Sequence, residues 1–154
     1  MLHGLKRLFE SVLIDTPQES PAELELRLQL ATAVLLVEVM RADEHIGAAE
    51  RETVVRVLRQ RFDLQDEAVA LLIERAQATS RDATDFFAFT TLLNNALAVG
   101  QKLQIVEAMW QVAYADGHLE THEQHTLWRV ADLLHVPHGA YINAKIRAKS
   151  AAGG

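Results

Sequence analysis

The chain has 154 residues, of which 49% are hydrophobic, enough for one compact domain with a sizeable core and too few for two comfortable ones. Its net charge of -6 argues against a nucleic-acid-binding protein, because phosphate binding needs clustered Lys and Arg. The absence of cysteine excludes disulfides and thiolate metal sites, so a metal would be held by carboxylate, carbonyl or imidazole groups.

The first segment, residues 2–14, has apolar side chains at helical spacing with Lys6, Arg7 and Glu10 between them, which predicts a short amphipathic helix. It could dock on the domain or make peripheral contact with a membrane surface, and we expect the domain. No small-residue cleavage site follows it, and the longest uncharged apolar run, 30–37, is far shorter than the ~20 residues of a membrane span. We therefore expect a cytoplasmic protein.

The rest of the chain predicts an all-α fold, a single compact bundle of about seven to eight helices, because no stretch alternates with period two. We expect an N-terminal helix and linker over 1–20, a helical domain over 21–149 and a disordered tail over 150–154. One further helix carries Phe86, Phe87 and Phe89, capped by Asp82 or Thr84. The remaining predicted helices span 22–43, 48–61, 67–78, 101–116, 120–134 and 138–148.

An internal repeat organises these helices. Shifting the sequence by about 73 positions superimposes two helix-turn-helix units, each with an Asp where one helix ends and a Glu where the next begins. The identical pairs include Val39 and Val112, Ala42 and Ala115, Asp43 and Asp116, His45 and His118, Glu50 and Glu123, and Val57 and Val130.

The four repeated acids, Asp43, Glu50, Asp116 and Glu123, have two interpretations. Each could be structural, since Asp116-Gly117 suits a helix end with a left-handed glycine, and a Glu at the third helical position can cap the N-terminus. However, an Asp at a helix C-terminus opposes the helix dipole, and both glutamates fall on the apolar stripe that turns inward, where a carboxylate needs partners. If the units pack about a pseudo-twofold axis, the four acids could converge and bind a hard divalent cation.

Other metal sites fit the sequence less well. An EF-hand is rejected because Val112 and Tyr114 occupy positions that need oxygen ligands. His118, His122 and His125 do not share one side of a helix and are interpreted as solvated or capping residues. The sequence also lacks nucleophile-elbow, phosphate-loop and His-Glu-x-x-His motifs. The aromatic residues, including Trp110, Trp128, Phe86, Phe87 and Phe89, are predicted to lie in the core.

Two segments carry a family resemblance. Residues 110–123, Trp-Gln-Val-Ala-Tyr-Ala-Asp-Gly-His-Leu-Glu-Thr-His-Glu, with 128–134, resemble the TerB-like (tellurite-resistance protein B) family, and residues 30–58 resemble its first repeat. The similarity covers roughly residues 24–148. It implies an all-helical, internally symmetric domain of proteins linked to tellurite resistance and stress response, with acids proposed to bind divalent metal. Glu44 departs from the family, which usually has glycine there, so the two turns need not share one geometry.

Carried over by position, the metal residues implied by the resemblance are Asp43, Glu50, Asp116 and Glu123. The leading hypothesis is a non-enzymatic, metal-responsive domain that presents a surface to a protein partner, with the metal ion unidentified. The alternative is a structural protein–protein interaction module with no metal site, in which the acids are only caps and turn formers. A third class is an enzyme using clustered carboxylates as general base.

Overall fold

The computed structural model of the protein describes residues 19–42, 47–83, 85–117, 119 and 121–152. Within these residues it contains seven α-helices and no strand, which confirms the predicted all-α fold. The helices are α1 (Pro21–Ala42), α2 (Ala48–Phe62), α3 (Asp66–Asp82), α4 (Phe87–Ala96), α5 (Val99–Ala113), α6 (Thr121–Leu133) and α7 (His138–Ala151). The segment 2–14 and its predicted helix lie outside the described residues.

Helix α1 is the centre of the bundle. It packs against α2, α3, α4, α5 and α6, and every residue from Leu30 to Val37 is at most 1% exposed. This enclosure explains why the middle of α1 is apolar almost all round, as a helix covered on several sides should be. Its one acid in that region, Glu38, accepts hydrogen bonds from Ser80 on α3 and from Arg41 at 3.0 Å, which give this half-buried carboxylate the partners that it needs.

The helices pack as two equivalent units, α1–α2–α3 and α5–α6–α7. The most extensive contacts within the bundle are α1 with α3 and its counterpart, α5 with α7. Between the units, α1 packs on α6 while α5 packs on α2, so each unit makes the same contact with the other. Such reciprocal packing is that of a twofold arrangement, because units related by translation would make only one of the two contacts.

The two units also end their second helices alike. Asp63 and His135 have positive φ values of 52° and 58°, and the next residues, Leu64 and Val136, donate backbone hydrogen bonds five residues back, to Arg59 and Ala131. This is the Schellman pattern, in which a left-handed residue stops the helix and the following residue is apolar. Helix α6 therefore ends at Leu133, before Val136-Pro137.

Helix α4 has no counterpart among the helices of the described residues. It lies between the units in sequence and packs on α1 and α6. Asp85 caps it by accepting a hydrogen bond from the Phe87 N–H at 3.0 Å. Of the two predicted caps, Asp82 is instead the last residue of α3, and Thr84 lies outside the described residues.

The prediction that the aromatic residues lie in the core is wrong for two of them. Phe89 and Trp110 are fully buried and Phe86 packs against the core, but Phe87 is 64% exposed and Trp128 is 52% exposed. Phe87 lies two positions from Phe89, so the two side chains point about 200° apart around the helix. Hydrophobic residue type alone did not decide burial here, whereas helical position did.

Candidate functional site

The acids of the second unit flank the turn between α5 and α6. Helix α5 ends at Ala113, so Asp116 lies in the turn that follows and does not end the helix as predicted. Gly117 has a φ of +80° and donates its N–H to Tyr114 at 2.9 Å, which confirms the left-handed glycine. The Asp116 side chain is exposed. Because it stands in water beyond the last helical turn, the helix dipole disfavours it much less than expected.

Glu50 and Glu123 occupy the third positions of α2 and α6, as predicted. Both are 0% exposed, which agrees with their place on the inward stripe. The positive end of each helix dipole favours a carboxylate at this position. Neither these two glutamates nor Asp116 is without a partner, since each takes part in a hydrogen bond or an electrostatic interaction.

The structure does not bring the described acids into one cluster. Within residues 19–42, 47–83, 85–117, 119 and 121–152, no group of three or more His, Asp or Glu side chains is placed to hold a metal ion. Glu50, Asp116 and Glu123 therefore do not form a three-carboxylate site together. Asp43, the fourth acid, lies outside the described residues. The donor chemistry suits a hard cation, because carboxylate oxygens are the ligands that Ca²⁺, Mg²⁺ and Mn²⁺ prefer.

The histidines near the site agree with the sequence interpretation. His122 and His125 are exposed on α6, whereas Glu123 between them is buried, so they point away from the acid. His118 lies outside the described residues. The described part of α6 thus presents its histidines to solvent and its carboxylate to the interior.

An exposed tryptophan on α6 was missed as a candidate functional residue. Trp128 lies on the outer face of α6 with His125 and Asp132, both exposed. Its neighbour Arg129 places its guanidinium 5.9 Å from the centre of the Phe86 ring, which links this face to the start of α4. The sequence contains a signal for the exposure of Trp128, because this residue is five positions from the inward-facing Glu123 and so about 140° away from it around the helix.

Comparison with known proteins identifies the fold family. The family described as tellurite resistance protein TerB matches residues 29–146. This chain belongs to the TerB family. No curated protein and no solved structure matches it. The TerB match covers both units from the middle of α1 to α7, and therefore includes all four repeated acids.

A second feature of the TerB domain is a groove between the units. It has a volume of about 690 Å³ and is bounded by α1, α2, α5 and the connection after α4. Its charged lining residues are Arg61, Glu25 and Glu107, and Glu107 accepts a hydrogen bond from Arg147 at 2.8 Å. Burial lowers the pKa of Arg61, and the negative charge of Glu25 opposes that shift. The apolar lining residues are Leu28, Val57, Phe62, Ala96, Leu97 and Ala108, and the uncharged polar ones are Thr32, Gln60, Gln101, Gln104 and Gln111.

None of the helices among the described residues combines the length and the hydropathy of a membrane span. This agrees with the short apolar run that the sequence shows in α1.

Proposed function

We propose that this TerB domain is a non-enzymatic, cytoplasmic module that binds a divalent cation and, when the cation is bound, presents a surface to a protein partner. Within the TerB family this function would belong to tellurite resistance or a related stress response. The observation that carries the proposal is the complete burial of Glu50 and Glu123 at equivalent positions of the two units.

Complete burial is more than a capping glutamate needs. A glutamate at the third helical position can reach the cap N–H while its carboxylate remains at the surface. Enclosing the carboxylate removes its hydration, which costs free energy unless hydrogen bonds and positive charge compensate. The helix N-terminus supplies part of that compensation. A bound cation would supply more, and the same arrangement occurs twice.

The second unit is the better-defined half of the proposed site. Glu123 would supply an enclosed oxygen ligand, and the exposed Asp116, seven residues earlier, would supply one from the turn. Asp43 and Glu50 would take the same roles in the first unit. The cation would be Ca²⁺, Mg²⁺ or Mn²⁺ in preference to a soft metal, because no thiolate is present.

Calorimetric titration tests the proposal. Chelator-treated protein should release or absorb heat on addition of Ca²⁺, Mg²⁺ or Mn²⁺, and the Asp116→Asn variant should lose that heat while remaining folded, because Asp116 is exposed. Glu123→Gln should lose it too. Asp132→Asn, which changes an exposed acid on α6 away from the turn, is the matched control and should titrate as the wild type does. Equal heats for Asp116→Asn, Asp132→Asn and the wild type would reject the site.

A second candidate function is favoured by Trp128. In this alternative the domain is a protein–protein interaction module without a metal site, and the repeated acids only cap helices and form turns. Half-exposed tryptophans are among the residues most often found at the energetic centre of interfaces. This function predicts a melting temperature that is the same with Mg²⁺, Ca²⁺ or chelator, and partner binding that Trp128→Ala weakens in each condition.

A further inference from the structure

The groove between α2 and α5 is the counterpart of the place where α4 packs. Helix α4 rests on α1 and α6. Exchange of the two units converts α1 into α5 and α6 into α2, so the equivalent place lies on α5 and α2. Among the described residues no helix fills it, and the groove of about 690 Å³ is found there.

Individual residues support this correspondence. The Asn94 amide of α4 donates a hydrogen bond to the Leu133 carbonyl at 2.9 Å, which places α4 beside Leu133. The residue 73 positions before Leu133 is Gln60, which lines the groove. Leu28 and its counterpart Gln101 both line the groove as well, so the groove extends across the boundary between the units.

The chain order points to the occupant. Helix α4 directly precedes α5, with only Leu97 and Ala98 between them. The segment that precedes α1 in the chain is 2–14, whose sequence predicts an amphipathic helix. The connection of residues 15–20 spans up to about 20 Å when extended. Glu25, in the α1 wall of the groove, lies only about 6 Å along the helix from Pro21. The tether is therefore long enough for the segment to reach the groove.

The polarity of the groove agrees with this occupant. The charges of the groove are balanced, because Glu107 is paired with Arg147 and Arg61 offsets Glu25. The one net positive charge of 2–14, from Lys6, Arg7 and Glu10, therefore meets no net repulsion. The apolar lining residues offer a floor for the apolar stripe of the segment, and the glutamines form a polar rim, as in grooves that bind amphipathic helices.

The groove wall on α5 is also more polar than the equivalent face of α1. Gln104 and Glu107 in the groove correspond in the repeat to Ala31 and Val34 of α1, two fully buried apolar residues. A polar surface gains less from burial than an apolar one. A helix in the groove would therefore be held less tightly than α1 and α6 hold α4.

We infer that residues 2–14 form a helix that docks in the groove between α2 and α5 as the counterpart of α4. This intramolecular contact is independent of the proposed cation site, since none of the described repeated acids, Glu50, Asp116 and Glu123, lines the groove. Its occupant is this chain's own segment, and an anionic lipid surface is the competing occupant for the same apolar stripe.

Paramagnetic labelling tests the docking, and the absence of cysteine allows a single label to be placed at will. A nitroxide on Gln104→Cys, in the groove, should strongly broaden the NMR signals of residues 2–14. The same label on Gln124→Cys, an exposed glutamine of α6 that does not line the groove, is the matched control and should broaden them much less. Adding Leu8→Ser and Phe9→Ser to the Gln104→Cys protein should restore the signals without unfolding the domain.

Two outcomes would overturn the inference. The first is equal broadening, or none, from the two label positions. The second is a segment whose signals change only when vesicles of phosphatidylglycerol and phosphatidylcholine are added, which would assign 2–14 to a membrane surface. Both outcomes leave the calorimetric test of Asp116→Asn unaffected, so the two proposals can fail separately.

Discussion

Phe89 and Phe87 provide a direct test of how α4 is held in the bundle. They lie two positions apart on the same helix, yet Phe89 is 0% exposed and Phe87 is 64% exposed. Phe89→Ala removes a ring from the core and leaves a cavity, which typically lowers the free energy of unfolding by about 3–5 kcal/mol. Phe87→Ala removes a ring that is mostly in water, so we expect a change within about 0.5 kcal/mol.

Urea denaturation followed by circular dichroism measures both changes. For a domain of this size each kcal/mol corresponds to about 2–4 °C, so Phe89→Ala should also lower the melting temperature by about 6–20 °C. The dependence on urea concentration should be the same for both variants, because the fold is unchanged. A loss below about 1 kcal/mol for Phe89→Ala, or equal losses for the two variants, would refute the assignment of α4 as a fixed core helix and with it the comparison of its packing site with the groove.

Three further results are expected. Trp128 should be accessible to a soluble fluorescence quencher and Trp110 protected from it, so a Trp128→Phe protein should resist quenching; strong quenching of that variant would contradict the assigned exposures. Burial and the nearby Tyr114 raise the pKa of Tyr141 to about 12 from 10.0. The folded state therefore keeps this proton while the unfolded state loses it, and stability should fall as pH rises from about 10 to about 12; a Tyr141→Phe protein with the same pH dependence would argue against this origin. Ser80→Ala should destabilise the protein by about 1–2 kcal/mol because it removes a hydrogen bond to the half-buried Glu38, and thermal unfolding unchanged by the substitution would show that the bond contributes nothing.

The helices and the repeat could be predicted from the sequence because both depend on the spacing of residue types along the chain. Helix α1 was predicted over 22–43 and is Pro21–Ala42, and α2 was predicted over 48–61 and is Ala48–Phe62. Apolar side chains at a spacing of three and four specify a helix with a buried stripe, whatever that stripe packs against. The predicted helix ends were less accurate where the position at which a helix ends depends on backbone geometry. Helix α7 continues to Ala151, three residues past its predicted end, and α3 continues to Asp82.

The inward position of Glu50 and Glu123 also followed from sequence, because a fixed helical period places them on the stripe of Val54 and Leu127. The environment of Asp116 did not, since a turn can leave a side chain in water or turn it inward with the same residues. The same helical period predicts that Trp128 is exposed. Its hydrophobic type alone led to the opposite prediction, that it lies in the core.

The sequence by itself determined the helical class, the two units and the identity of the repeated acids, because each is encoded in spacing along the chain. Only the tertiary structure decided which helices fill the space between the units. Helix α4 covers α1 and α6, while the equivalent surface of α5 and α2 is a groove lined by glutamines. The physical reason is that a groove forms from residues on separate helices, such as Leu28, Gln60 and Gln104, whose proximity depends on packing and leaves no periodic signal in any one segment.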